Sequence, residues 1–200
     1  MIVDKELSSI PRMYKCLPQY EFIYGKYKLV SVRDEDKYAI LNWRNDQISI
    51  LRQRQPLTIE KQEWYFKNVI DPLFKQEKPS QILFSFFEND TLIGYGGLVH
   101  IDWESRNGEM SFLLETKRNK TEDFFVSDFA GYLRIITAIA FQHLQFVKIH
   151  TTVFDLPERV LYRKVIETSS FVREAELKDH VICNGKMCNV LIYSCFNHLE

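Results

Sequence analysis

Three side chains in predicted β-hairpins are of the types that take a proton from a reacting group. Glu109 opens the second of two apolar runs, and His100 lies near the end of the first, two residues before Asp102. His180 lies in a later predicted hairpin. Because carboxylates and imidazoles are the usual general bases of proteins, Glu109 is the first candidate catalytic base. His100, oriented by Asp102, is the second candidate, and His180 is the third.

Each candidate base also has a purely structural interpretation. A carboxylate at a strand edge commonly pairs with a cation, which for Glu109 would be Arg106 or a lysine. A histidine within a strand, such as His100, commonly serves only as a hydrogen-bonding group. The residues alone leave both interpretations open.

Glu109 and His100 belong to one stretch, residues 92–114, that predicts a β-hairpin. Two apolar runs flank a polar turn over residues 102–107, and the first run contains Gly94, Gly96 and Gly97. Glycines within a strand indicate a bulge or the close approach of other backbone or of a ligand. We therefore predict the floor of a binding cleft; an ordinary hairpin in a mixed sheet is the simpler alternative.

Length and composition indicate one folded domain. The chain has 200 residues, of which 46% are apolar and 14% aromatic, and a formal net charge of −1. That length is enough to bury roughly 70% of the surface of the unfolded chain. The near-zero charge gives no reason to expect nucleic acid or an anionic membrane as a partner.

Targeting and redox signals point to a cytoplasmic protein. Residues 1–7 lack the basic-then-apolar order of a signal peptide, and no uninterrupted apolar run approaches the roughly 20 residues of a membrane span. The four cysteines form no Cys-x-x-Cys pair, so reduced thiols and no metal centre are expected. A bridge or metal pair between Cys183 and Cys188, which bracket a turn, is the alternative.

The periodicity of apolar residues predicts the order β α α β β β α β α β β after an N-terminal extension, residues 1–19, where the first β stands for the two strand segments around the Gly25-Lys26 reversal. Strands are expected at 20–24, 27–33, 81–87, 92–101, 109–114, 147–154, 171–182 and 187–195, and helices at 34–43, 58–72, 124–144 and from 157. The order predicts a single α+β (mixed α/β) domain over residues 20–200.

Local signals set several of the predicted boundaries. Asp34 and Thr58 are predicted to cap the first two helices, and Pro72 to end the second. Pro157 is expected in the first turn of the last helix. Asn184-Gly185 is the strongest hairpin-turn signal in the chain.

Four parts of the sequence, in this order, resemble the GNAT superfamily of acetyl-CoA-dependent N-acetyltransferases. They are residues 41–46 with the Trp-Arg-Asn signature, residues 59–66, the hairpin 93–114, and residues 165–171 with 177–186. The resemblance covers most of the chain. Within the superfamily, these stretches look most like the ribosomal-protein and nucleotide-amino-sugar N-acetyltransferases.

The resemblance implies a fold, a reaction and partners. The fold is a central, mostly antiparallel twisted sheet flanked by helices. The reaction is direct acyl transfer from acetyl-CoA, the cosubstrate, to an amine. The acceptor is a small molecule such as a nucleotide-linked amino sugar, or a protein N-terminus, and the protein is expected to be a monomer or a homodimer.

The resemblance also assigns residues to the two halves of the site. The cosubstrate half comprises the strand residues Phe112, Leu113 and Leu114, the basic connection with Lys117, Arg118 and Lys120, and the helix residues Ser127 and Tyr162. The acceptor half comprises Trp43, Arg44, Asn45, Asp102, Trp103 and His180. The structural alternatives are a core position for Trp43, a surface ion pair for Arg44 and a solvated loop for the lysines.

Two features depart from the family pattern at the cosubstrate end. The family binds pyrophosphate with a basic, glycine-rich turn, but no glycine lies between Glu109 and Gly131 here. Many members carry a tyrosine in the last helix at the position occupied by Ile166, and Tyr162 lies one helical turn earlier. A GNAT-like binding or regulatory module without turnover is therefore the alternative to an enzyme.

Overall fold

The computed structural model describes residues 11–183 and 185–197. Ser8 and Ser9 of the predicted extension, and Asn184 of the predicted hairpin turn, lie outside the described residues. The strands are β1 Glu21–Tyr24, β2 Tyr27–Ser31, β3 Ile82–Glu88, β4 Thr91–Asp102, β5 Asn107–Leu114, β6 Lys148–Phe154, β7 Val172–Cys183 and β8 Lys186–Phe196. The helices are α1 Lys37–Asp46, α2 Ile59–Tyr65, α3 Asp71–Leu73, α4 Thr116–Asn119, α5 Glu122–Ala138 and α6 Val160–Glu167.

The eight strands form one sheet in the order β1-β2-β3-β4-β5-β6-β8-β7. Neighbouring strands are antiparallel except for β5 and β6, which are parallel because the long helix α5 connects them. The predicted α+β domain with a mostly antiparallel sheet is confirmed.

The one parallel pair of this sheet opens partway along its length. β5 and β6 pair only from Asn107 with Lys148 to Glu109 with His150, while β5 continues to Leu114 and β6 to Phe154. Backbone groups alternate in direction along a strand, so those of β5 that face β6 beyond Glu109 have no ladder partner. The sheet therefore carries a wedge-shaped gap at the carboxyl ends of two parallel strands.

Helices cover both faces of the sheet around two separate cores. The larger core joins α5 and α6 to one face and is rich in aromatic residues such as Phe86, Phe129 and Tyr132. The smaller core joins α1 and the π-helical turn after α2, Phe66–Ile70, to the other face through Ile40 and Phe66. Successive side chains along β5 therefore point to different cores, on opposite faces of the sheet.

Some helix boundaries differ from those predicted. Thr58 caps α2 as expected, since its Oγ1 accepts the N–H of Lys61 at 3.3 Å. Asp34 is not a cap: it begins a 3₁₀ turn and pairs with Lys37 at 2.8 Å. Pro72 does not end the second helix, because a π-helical turn over Phe66–Ile70 places it in the first turn of α3, where a missing N–H costs nothing.

The predicted long buried helix is present and begins two residues earlier than expected. α5 continues through a π-helical turn, Ile139–His143. The combined 22-residue helix is long and apolar enough to cross a membrane by composition alone. In this domain, however, Phe129, Ile136 and Ala140 are fully buried in the larger core, which accounts for the apolar sequence.

The glycines of β4 permit a close approach of backbone, as their strand context predicted. A Cβ atom at Gly97, whose φ is +155°, would lie 2.0 Å from the carbonyl oxygen of Ile82. We expect Gly97→Ala to lower the free energy of unfolding by about 3 kcal/mol, because the clash is with backbone that cannot move aside. Gly25→Ala is the control, since Gly25 has φ +58° but nothing within 4 Å of an added Cβ, and should cost about 1 kcal/mol.

Urea denaturation of the wild type and both variants measures these differences. Equal losses at Gly97 and Gly25 would show that backbone conformation, rather than the close contact with β3, sets the requirement for glycine.

Candidate active site

A cleft of about 1150 Å³ lies beside the gap on the face that carries α1 and α2. It brings together Glu109 of β5, Thr152 of β6, Arg52 of the connection before α2, and His180 of β7. The remaining walls are mostly apolar and include Ile48, Leu51, Phe154, Val181, Ile182 and Val190. A concave site with apolar walls and a few converging polar groups is typical of a small-molecule site.

Glu109 is the central polar residue of this cleft. It is 8% exposed and lies on the last paired rung of β5, opposite His150. Arg52 binds both carboxylate oxygens, with Nη1 3.2 Å from Oε2 and Nη2 close to Oε1. The structural alternative for Glu109 predicted an ion pair, and an ion pair is present. Its cation, however, is Arg52 and not Arg106 or a lysine.

The environment of Glu109 keeps its carboxylate ionised. Burial raises the pKa of Glu109, but hydrogen bonds and charge from Arg52, with hydrogen bonds from His100 and Thr152, outweigh burial and leave the pKa below its usual value. A carboxylate with a lowered pKa is a weak proton acceptor by itself, but it is well suited to hold and polarise a neighbouring imidazole.

That imidazole belongs to His100. Its Nδ1 lies 2.8 Å from Oε2 of Glu109, and its side chain is 68% exposed. An Nδ1–H donated to the carboxylate leaves Nε2 as an acceptor facing solvent. The backbone of His100 has φ +49°, a conformation that non-glycine residues rarely adopt, and it lies where the β4–β5 ladder slips.

Asp102 does not orient His100, contrary to the sequence-based prediction. Its carboxylate accepts the backbone N–H groups of Glu104 and Ser105 at 3.0 Å and 2.9 Å. This side chain therefore stabilises the tight turn after β4, as the side chain of an Asp at the start of a turn commonly does. Glu109, reached across the ladder, orients the imidazole instead.

Sequence reasoning missed two residues of this cluster. Arg52 lies in an irregular connection with no periodic signal, so only the tertiary structure brings it to Glu109. His150 is paired with Glu109 across the parallel rung, and burial lowers its pKa, which favours the neutral imidazole. A histidine in the strand after the long helix was the one available signal, but parallel register is not readable from sequence.

Three predicted acceptor residues near the end of α1 stabilise the connection that forms part of the cleft wall. Asn45 donates to the carbonyl oxygen of Leu57 and accepts from the Leu57 N–H and from Gln53 Nε2, at 2.8–3.0 Å. Arg44 Nε donates to Gln53 Oε1 at 3.1 Å, and Trp43 packs against the smaller core. These contacts fix the connection that carries Arg52, and none of the three predicted residues lines the cleft.

The other predicted acceptor residues lie in two different places. His180 lines the cleft, as its predicted role requires. Trp103 does not: its Nε1 donates to the carbonyl oxygen of Pro79 at 2.8 Å, and its ring packs against Phe146. Its substrate-binding role stays a prediction that these contacts do not support.

The thiols and acidic groups near the cleft form no metal-binding cluster in the described part of the chain. Cys183, which lines the cleft, and Cys188 are both free thiols. No group of three or more His, Cys, Asp or Glu side chains among residues 11–183 and 185–197 could hold a metal ion.

The gap between β5 and β6 lies at the strand where the family resemblance places the pantetheine arm of CoA. The carbonyl oxygens of Ser111 and Leu113 lie against the glycines of β4, so the alternate groups at Phe112 face the gap. The side chains of the predicted strand residues serve the two cores: Phe112 stacks on Phe129 at 4.4 Å, and Leu113 lies in the smaller core. Only their backbone is available to a ligand.

Leu114 closes the far end of that strand. Gln47 Nε2 donates to its carbonyl oxygen at 2.8 Å, and its side chain is buried in the larger core. The predicted cosubstrate strand is therefore anchored at its end while its middle section, around Phe112, keeps free backbone groups facing β6.

Tyr162, rather than Ile166, reaches the gap from α6. Its hydroxyl lies 2.9 Å from Oγ1 of Thr151, the first residue of β6 past the last rung, whereas Ile166 is fully buried in the larger core. Burial raises the pKa of Tyr162, so the phenol stays protonated. The structure brings this predicted cosubstrate residue to the gap.

The structure places the predicted phosphate-binding residues in different environments. Arg118 is not free to bind an anion: its guanidinium forms two hydrogen bonds to the buried Asp128, at 2.6 Å and 2.9 Å, and lies 2.9 Å from Glu88. Lys117 and Lys120 are exposed, and neither forms an ion pair with the described residues. Ser127 is also exposed, and its hydroxyl donates to helix carbonyls of the preceding turn.

A sheet that splays between two parallel strands, with a helix N-terminus at the open end, defines a class of acyl-CoA-binding transferase folds. Residues 29–192 match the model of the acetyltransferase (GNAT) domain family. The chain therefore belongs to the GNAT acetyltransferase family, which confirms the superfamily resemblance; the ribosomal-protein and amino-sugar branch stays a prediction.

Solved structures of N-acetyltransferases share this fold. The spermidine N-acetyltransferase from Vibrio cholerae, in complex with CoA and spermine, has a TM-score of 0.69 and 19% identity, with 86% of this chain and 95% of that chain covered. A mutant structure of the spermidine/spermine N-acetyltransferase from Vibrio cholerae has a TM-score of 0.68 and 18% identity, covering 86% and 94%. No curated protein sequence matches the chain.

Family membership settles the reaction class. The protein is an N-acetyltransferase that uses acetyl-CoA as its cosubstrate. The gap, its free β5 backbone and the protonated Tyr162 fit that cosubstrate. The acceptor is a separate question, which the residues of the cleft address.

Proposed function

We propose that this enzyme acetylates the amine of an anionic small molecule, such as a nucleotide-linked amino sugar, by direct acyl transfer. The charge of the cleft supports this acceptor. Arg52 and Arg54 lie on one wall and His180 on the other, while Glu109 is the one carboxylate among the described residues that line the cleft. Because Arg52 and Glu109 neutralise each other, Arg54 is the arginine left to attract an anionic acceptor, and no carboxylate among the described lining residues is left to attract a polycation.

The size of the cleft is consistent with the same acceptor. Its volume of about 1150 Å³ exceeds the roughly 300–1000 Å³ of a typical small-molecule pocket, so a nucleotide and a sugar fit together. The apolar walls offered by Leu51, Phe154 and Ile182 suit the face of a base or a sugar ring. Arginine is the residue best shaped to bind phosphate oxygens in pairs.

Proton removal from the acceptor amine is assigned to Glu109 and His100 acting together. Acetyl-CoA supplies the acetyl group as an activated thioester: the amine nitrogen forms a bond to the acetyl carbon, the C–S bond breaks, and CoA leaves as a thiolate that takes up a proton. The acceptor amine must lose a proton, and Nε2 of His100 is the exposed base that can take it, directly or through water. Glu109 holds the imidazole in the required tautomer and stabilises its protonated form.

Cellular setting and assembly belong to the same proposal. We take the enzyme as cytoplasmic, where acetyl-CoA and activated sugars are both present, and as a monomer or a homodimer. Size-exclusion chromatography with light scattering measures the assembly state directly.

A panel of acceptors tests the proposed substrate class. We expect acetyl-CoA consumption, followed by thiol release, with nucleotide-linked amino sugars, and at least tenfold lower kcat/KM with spermidine and with peptides bearing a free N-terminus. Removing the cation by Arg54→Gln should raise KM for the anionic acceptor several-fold and leave kcat nearly unchanged, because a contact made equally in ground state and transition state alters KM alone.

The same panel distinguishes the rival possibilities. Preference for spermidine would overturn the anionic acceptor, and preference for a peptide would favour a protein N-terminus. Tight binding of CoA without turnover on any amine would identify a binding or regulatory module. Lys61→Gln, an exposed change on α2 outside the cleft, is the matched control for loss of a positive charge.

A further inference from the structure

Arg159, just before α6, is a half-buried arginine whose inner guanidinium nitrogen has no hydrogen-bond partner among the described residues. Its Nε atom is buried and has no hydrogen-bond partner in the described part of the chain. No described carboxylate forms an ion pair with its guanidinium, although the neighbouring Arg163 pairs with Asp155. Burial lowers the pKa of Arg159, which reflects the cost of desolvating this charge. A half-buried cation of this kind is expected to serve a bound anion.

The topology places Arg159 at the open end of the gap. α5 follows β5, and α6 follows β6, so both helices begin beyond the carboxyl ends of the one parallel pair. Lys164, in the second half of α6, pairs with Glu122 at the start of α5 at 3.2 Å, so α6 lies beside the beginning of α5. Ligands of sheets with parallel strands bind at this end, because helix N-termini point their N–H groups there.

Aromatic stacking fixes the direction of the guanidinium. Its Cζ lies 4.1 Å from the centroid of the Tyr162 ring, and Tyr162 packs against Phe129 at 4.4 Å. Phe129 in turn stacks on Phe112 of β5. Arg159 thus lies at the outer end of a row of rings that lines the gap, and its charge is held but not neutralised by the ring face.

We propose that Arg159 binds the pyrophosphate of acetyl-CoA and replaces the glycine-rich phosphate loop that this chain lacks. The proposal rests on the assigned cosubstrate but not on the proposed acceptor. Without glycine, backbone N–H groups of the connection after β5 cannot be brought close to phosphate as readily. Arg118, the arginine of that connection, is fully occupied by Asp128 and Glu88. The planar guanidinium of Arg159 offers paired donors instead.

Titration of the protein with three ligands, without acceptor, tests this role. The ligands are CoA, dephospho-CoA, which lacks the 3′-phosphate, and S-acetylpantetheine, which lacks the pyrophosphate. We expect Arg159→Met to weaken CoA and dephospho-CoA at least tenfold by calorimetry, while S-acetylpantetheine binding changes less than twofold. Arg159→Lys should recover part of the loss, since it keeps the charge but not the paired donors.

Thermal unfolding without ligand separates this role from a structural one. Because the buried Nε of Arg159 has no partner among the described residues and no described carboxylate pairs with the guanidinium, Arg159→Met should leave the melting temperature unchanged or raise it. The control is Arg163→Met in α6, four residues further along the chain, which breaks the ion pair to Asp155 and should not weaken CoA binding.

Three results would overturn the proposal. They are wild-type affinity of Arg159→Met for CoA, an equal loss for S-acetylpantetheine, and a loss confined to CoA, which would place the contact at the 3′-phosphate. Failure of the acceptor panel leaves these binding measurements unaffected, so the two proposals fail independently.

Discussion

Replacing Glu109 by glutamine is expected to lower kcat/KM by about 10²–10³-fold, within the usual range for loss of general-base catalysis. Glutamine keeps the shape of the side chain but removes the charge that holds Arg52 and orients His100. The imidazole then loses both its fixed tautomer and the carboxylate that stabilises its protonated form. Steady-state kinetics with saturating acetyl-CoA, as a function of acceptor concentration and pH, provide the measurement.

A double-mutant comparison tests whether Glu109 and His100 act as one unit. His100→Gln alone should cost a similar factor, and the double variant little more than either single change, because parts of one proton-transfer unit are not additive. Calorimetric CoA binding by Glu109→Gln should be close to that of the wild type, since the carboxylate lies on the acceptor side of the sheet. Independent, multiplying losses would show that the two residues have separate roles.

Replacing Asp128 by alanine is expected to lower the free energy of unfolding by about 3–5 kcal/mol, the cost of breaking a buried ion pair by removing one partner. Asp128 is fully buried in α5 and receives two hydrogen bonds from Arg118 and one from the hydroxyl of Tyr27 at 2.9 Å. Its loss leaves both donors without their acceptor. Chemical denaturation monitored by circular dichroism measures the change.

The control for this variant is Asp123→Ala, which removes an exposed carboxylate five residues earlier in the same helix. It should change stability by less than about 0.5 kcal/mol, as is usual for surface substitutions. A similarly small effect at Asp128 would contradict the interpretation of Arg118 and Asp128 as a structural strut between the connection and α5. It would also return Arg118 to consideration as a phosphate ligand.

Local signals in the sequence predicted the elements well because each signal depends on its immediate neighbours. The hairpin from β4 to β5 follows from two apolar runs around a polar turn, and the α5 helix from a long apolar segment. Thr58 was identified as a cap because a threonine before an amphipathic run satisfies a local N–H. Pro72 was misjudged because the π-helical turn before it depends on packing, which no local rule describes.

The partners of charged groups were the part that local reasoning could not supply. Glu109 was identified as a candidate base from its position in the hairpin, but its partner Arg52 lies 57 positions away. Arg118 was predicted to bind phosphate because it lies in a basic connection, but it forms an ion pair with Asp128 instead. Whether a cation is free or paired depends on which carboxylate the fold brings within a few ångströms.

The sequence by itself determined the class of fold, the family and the central hairpin with Glu109 and His100, because these depend on periodicity, turn chemistry and motif order along the chain. Only the tertiary structure decided that β5 and β6 part after one short parallel ladder, that Glu109 rather than Asp102 orients His100, and that Nε of Arg159 has no partner among the described residues. These properties arise because side chains far apart in sequence come together when the helices pack on the two faces of the sheet. A local pattern therefore names the candidates, whereas long-range packing assigns their partners and their charge state.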